Sequence, residues 1–193
     1  MNRILQGLLI LTLMVASLQT GWSQGGAIAE PSGFQGKYQK PSINQRLFGE
    51  ELAMVGTERD EYAANLAAYA VKVVQEHKAD QNSLDLARQV LGLGLHLSPR
   101  NKKCIVANAQ LARGVMPDRV AADYEPEVFA RLLLARGQLL EKHESEINRL
   151  LARYFIELAA TIDPRNEDAI YESELRRLDL GDLSWKMLTD AKK

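Results

Sequence analysis

At 193 residues, 25% charged and 46% hydrophobic, the chain has the size and composition of one ordinary globular domain. Its 24 basic against 25 acidic residues leave a net charge of −1, which excludes the broad basic face that nucleic-acid binding demands. Cys104 is the single cysteine, so an intramolecular disulfide is excluded as well.

Residues 1–23 read as a secretory signal peptide. Asn2-Arg3 precedes a mostly apolar run from Ile4 to Leu18, and a small-residue region ends in Gly21-Trp22-Ser23, with Val15-Ala16-Ser17 as a second cleavage candidate. The apolar run, at ~1.5 Å per residue, reaches roughly 22 Å, short of a hydrocarbon core of about 30 Å. A cleaved signal without a stable membrane span is therefore expected, and the protein is expected to be exported, periplasmic or secreted. Residues 24–56 are rich in Gly, Pro, Ser and Gln and read as a flexible linker. Phe34 and Tyr38 are its aromatics able to dock, and Leu47, Phe48, Leu52, Met54 and Val55 suggest a helical turn or two.

The folded domain is expected over 57–193. Tyr62, Leu66, Tyr69, Ala70, Val73 and Val74 keep the three-and-four spacing of one helical face. A second helix, capped by Asn82 or Ser83, carries Leu86 to Leu97 and ends before Pro99. Asn101 caps a third, whose Lys102 and Lys103 oppose the dipole and predict a frayed start. Residues 115–125 read as a connector. Phe129 to Leu140 and Ile147 to Leu158 form the next two helices, the latter ending at Asp163-Pro164. Asn166 caps another, and Gly181-Asp182 turns into a short helix with Trp185 and Leu188. No alternating strand pattern of any length occurs, so the fold class is all-α.

Residues 86–105 recur 65 positions later without a gap: Leu86-Ala87-Arg88 as Leu151-Ala152-Arg153, Pro99-Arg100-Asn101 as Pro164-Arg165-Asn166. Eight of the twenty positions are identical, as stacked supersecondary units would require. The set Ala87, Leu91, Gly94, Pro99 and its copy Ala152, Ile156, Ala159, Pro164 resembles the second helix of the tetratricopeptide repeat. The first-helix positions depart from that pattern (Ile105, Asn108, Ala109, Ala112, then Ile170, Ser173, Glu174, Arg177), so the resemblance is to a degenerate member with two ~65-residue copies of antiparallel hairpins. It implies a groove that captures peptide segments, and it points to Asn65, Tyr69, Lys72 and Asn108 as partner-binding residues.

Signs of chemistry are absent. His77, His96 and His143 lie in separate elements without a second histidine at metal-binding spacing, and read as solvated surface residues. Leu91-Gly92-Leu93-Gly94-Leu95 sits inside a helix and follows no strand, so it is no phosphate loop. Close packing accounts for Gly94, while Gly92 reads as exposed and without a role. Glu141, Glu144, Glu146, Glu167, Asp168, Glu172 and Glu174 read as a solvated face, and Cys104 as a small buried hydrophobe. No catalytic, cofactor-binding or metal-binding residue is expected. The expected function is a non-catalytic, protein- or peptide-binding adaptor of the cell envelope. One alternative is a self-associating subunit, with Trp185 and Leu188 either capping the domain or forming the interface. A small-ligand carrier or enzyme is the second alternative and would need a deep pocket.

Overall fold

A computed structural model describes residues 34–43 and 47–190. The expected signal peptide and the first third of the expected linker lie outside them. The described residues form an all-α fold of seven helices: α1 (Gly56–Glu76), α2 (Gln81–Leu97), α3 (Lys102–Ala112), α4 (Pro126–Glu141), α5 (Glu146–Ile162), α6 (Glu167–Leu180) and the single turn α7 (Lys186–Thr189). Among them the only β pairing is an isolated parallel bridge between Ser42 and Asp190.

Helix starts follow side-chain chemistry. Asn101 accepts the N–H of Cys104 at 3.1 Å and Asn166 that of Ala169 at 3.1 Å, each satisfying an orphan donor of a first turn. The start of α3 is not frayed, because Asn101 holds it and the Lys103 ammonium reaches out to the Ala121 carbonyl at 2.8 Å. Asp80, not Asn82 or Ser83, caps α2 by accepting the Ser83 N–H at 2.8 Å. The turn before it takes Lys78 and Ala79 through left-handed conformations, both at φ 51°. The helix–proline junction recurs: Ser98 and Asp163 donate to the carbonyls of Gly94 and Ala159, and Asn101 and Asn166 then donate to Ser98 and Asp163.

Helices α1, α2 and α3 pack together, as do α4, α5 and α6, with α6 against α5. Ala87 and Ala152 are both fully buried, as seams between close helices require. The approach is tightest at glycines. A Cβ on Gly94 would stand 2.7 Å from Cys104 Sγ, and that thiol donates to the Ala63 carbonyl at 3.1 Å, so α1, α2 and α3 meet there. Burial pushes the Cys104 thiol up to about 12. A Cβ on Gly137 would stand 2.6 Å from Ile156 Cγ1 and 3.1 Å from the Ala152 carbonyl. Tyr62 joins the two helix sets by stacking on Phe155 with ring centroids 5.1 Å apart, tilted against Phe129.

The described part of the expected linker is a packed strap. Tyr38, Phe48, Leu52 and Met54 enter the core, each contributing about 1.5–3 kcal/mol by burial. The amides of Gln35 and Gly36 donate to the Ala79 carbonyl at 3.0 Å, and Ser42 donates to Thr189 at 2.7 Å. No helix forms over 47–55. The helical spacing of Phe48, Leu52 and Val55 is not realised: Phe48, Leu52 and Met54 are buried while Val55 is exposed, so tertiary contact and not a helical face makes this segment core.

At the other end Leu188 is fully buried and Trp185 stands edge-on to Tyr154 at 4.9 Å, its indole N–H on Glu157 at 2.7 Å. The C-terminal turn therefore caps the domain internally. Gly92 is buried, not exposed: a Cβ there would meet the Leu188 carbonyl at 3.1 Å and Thr189 Cγ2 at 3.2 Å. His96 is likewise no surface residue, at 3% exposure. Its Nδ1 accepts the Leu47 N–H at 3.1 Å while Nε2 lies 3.2 Å from the Leu188 carbonyl, fixing the Nε2–H tautomer. One imidazole thus fastens both terminal segments to α2.

Two outcomes follow for stability. Gly137→Ala is expected to cost about 1–3 kcal/mol in urea unfolding, because the clash with the packed Ile156 side chain, tight also against the Ala152 carbonyl, outweighs the ~1 kcal/mol gain in helix propensity. Burial, opposed by the Leu188 hydrogen bond, holds the His96 pKa below its ordinary 6.5. The unfolded chain therefore takes up this proton first, and stability is full above pH 6.5 but falls as the pH drops below it. Urea midpoints should decline as the pH falls below 6.5, and His96→Gln should remove that component of the slope.

Candidate functional site

An open cleft of about 270 Å³ lies between α1 and the connector 115–125, with an apolar floor and polar groups around it. Ala68, Val71 and Phe129 make an apolar floor, and Tyr69, Lys72, Arg119, Tyr124 and Glu125 stand around it. Helical spacing places Ala68, Tyr69, Val71 and Lys72 on adjoining rows of α1, half turned to the core and half to the cleft. Pro126 at the first turn of α4 closes one end, its fixed φ suited to a helix start.

The connector forms the opposite wall because three side chains pin it. Asn65 donates to Asp123 Oδ2 at 3.0 Å and accepts the Asp123 N–H at 2.9 Å. Gln75 donates to the Pro117 carbonyl at 2.7 Å, and Lys103 to that of Ala121. A segment that sequence composition marks only as a loop is thereby a fixed surface.

The four sequence-predicted residues separate into two pairs. Tyr69 and Lys72 face the cleft. Tyr69 is half-buried, and burial, with Glu76 nearby, pushes its hydroxyl up to about 12, so it acts as a neutral donor and acceptor. Lys72 is exposed and lies 3.9 Å from Glu76, a distance at which solvent screens the pair. Asn65 lines the cleft but is buried, with its amide also on the Glu61 carbonyl at 2.9 Å; it builds the wall and has no spare donor. Asn108 is buried elsewhere, on α3, where its Oδ1 accepts the Tyr38 hydroxyl at 2.8 Å. The chain's own strap takes the partner that Asn108 was expected to find outside.

Arg119, Tyr124 and Phe129 complete the cleft and escape sequence reasoning, since nothing in the pattern tells that 115–125 folds back over α1. Among the described residues no group of three or more His, Cys, Asp or Glu is placed to hold a metal ion. The carboxylates expected to form a solvated face are not all solvated. Glu141 on α4 and Glu172 on α6 both clamp the guanidinium of Arg176, whose side chain is only 16% exposed. That clamp ties α6 to α4.

No known protein family, curated protein or solved structure matches this chain.

Asn65→Ala is expected to lose about 1–3 kcal/mol in urea unfolding, because it removes the three hydrogen bonds that buried Asn65 makes to Glu61 and Asp123. Lys72→Ala, one side of a screened pair, should stay within about 0.5 kcal/mol of the native protein in the same measurement.

Proposed function

We propose that this protein is an exported, non-catalytic adaptor of tetratricopeptide-like helical hairpins, and that it holds an extended segment of a partner protein in the cleft between α1 and the connector. The observation that carries this is the juxtaposition of Tyr69, Lys72 and Arg119 around an apolar floor. Two cations and a neutral hydroxyl suit a peptide carboxylate, either a terminus or an Asp or Glu side chain, beside an apolar residue on the floor. The cleft is open and falls below the roughly 300–1,000 Å³ of typical small-molecule sites, which favours a peptide side chain over a carried ligand. Export rests on the N-terminal sequence pattern alone, and the repeat assignment on the matching helix–proline junctions and buried Ala87 and Ala152.

Titrating a library of extended acidic peptides, followed by amide and side-chain NMR shifts, tests the reading. Binding should move the signals of Tyr69, Lys72 and Arg119, weaken with salt, and fall by about tenfold or more in Tyr69→Phe/Lys72→Glu, which keeps the half-buried ring packed and the thermal melt unchanged. Peptide binding that ignores this double substitution, or no binding by any peptide of the library, would overturn it.

A further inference from the structure

Helix α6 has two faces of different fate. Ala169 is buried against α5, and Arg176, on the same side, is held by Glu141 and Glu172. On the opposite side Tyr171, Leu175 and Leu178, at the i, i+4, i+7 spacing of a single stripe, are exposed, Tyr171 at 66% and Leu178 at 76%. The repeat supplies its own comparison. At the positions 65 residues earlier on α3, Gln110 and Arg113 stand where α6 carries Leu175 and Leu178. Earlier in the helix α3 also exposes apolar residues, Ile105 and Val106, so what distinguishes α6 is that its apolar row continues through Leu175 and Leu178.

Three large side chains in one row make a contiguous apolar patch rather than isolated surface residues. Doubled across a two-fold axis, such a stripe forms the core of an interface whose rim supplies the rest of the ~1,200 Å² at which specific interfaces begin. The charges along it are arranged for a copy running the other way. Acidic Glu167 and Asp168 lie at the N-terminal end, and Glu174, just past the midpoint, precedes Arg177 by about one turn. Glu174 and Arg177 are both half-exposed and now pair only within the helix. Antiparallel pairing about an axis between them brings Glu174 of each copy to Arg177 of the other, and it opposes the two helix dipoles. The same acidic flank disfavours an anionic membrane surface.

We propose that the protein forms a two-fold dimer in which the α6 stripes pack antiparallel on one another. The contact is distinct from the peptide cleft, and α6 substitutions leave peptide binding at Tyr69 and Lys72 intact. Sedimentation velocity over a range of micromolar concentrations tests it. The native protein should dimerise, and Leu178→Asp should weaken association by about a hundredfold with unchanged circular dichroism and melting, since the residue is solvent-exposed in the monomer. Glu174→Arg and Arg177→Glu should each weaken it by about tenfold, and the double swap should restore it. A native protein that stays monomeric throughout, a dimer indifferent to Leu178→Asp, or single charge reversals that the double swap does not rescue would each overturn the proposal. A different protein binding this stripe on a monomer would overturn it too.

Discussion

Irregular backbone can lie against a helical core only if its N–H and C=O groups find partners there. In this protein buried asparagines supply many of those partners. Asn148 accepts the Ala53 N–H at 2.8 Å and reaches the Glu51 carbonyl at 3.4 Å. Asn65 clasps Asp123 in both directions. Asn108 takes the Tyr38 hydroxyl, and Asn101 caps α3 while donating to the Asp60 carbonyl of α1 at 3.1 Å. A side-chain amide carries the same donor and acceptor as a peptide group, so each one lets a non-helical segment close on a helix as a strand would on its neighbour. His96 does the same for the strap and the C-terminal turn together. Without these fasteners the helices would remain, but the connector would no longer wall a cleft and the strap would no longer cover α3.

That use of asparagine also explains how far the sequence could be read. The helices were legible because their apolar residues keep a period and their proline and asparagine boundaries have one physical meaning. Ala87, Ala152 and Gly94 were legible as seam residues because small side chains in an apolar helix imply close approach. Asn65 and Asn108 were legible as hydrogen-bonding groups, but not as to whose backbone they bind, since a loop of the same chain and a partner's segment offer identical chemistry. The strap was hidden for a different reason. Tyr38, Phe48, Leu52 and Met54 are buried by tertiary contact alone, among Gly, Pro and Ser residues that by composition signal a tether. Gly92 and His96 made sense only once Leu188 and Leu47 lay against them.

Functionally, the described residues concentrate their unsatisfied surface in two places with different chemistry. The α1–connector cleft mixes an apolar floor with cations and a neutral phenol, and suits a short extended segment. The α6 stripe is a rigid apolar face with paired charges at its side, and suits another helix. Cys104 belongs to neither: it is sealed among α1, α2 and α3 with its thiol pushed up to about 12. Rigidity is common to both, since the connector is pinned at three points and α6 is clamped by Arg176 between two carboxylates. Preorganised surfaces of this kind lose little entropy on binding.

The most direct test of this account is native-state hydrogen exchange at the amides of Leu47, Ala53 and Asp123, which lie outside every helix yet donate to buried side chains. Protection close to that of the α2 interior would show that imidazole and asparagine side chains hold the strap and connector as part of the cooperative core. Exchange at the rate of an open loop, with α2 still protected, would contradict it.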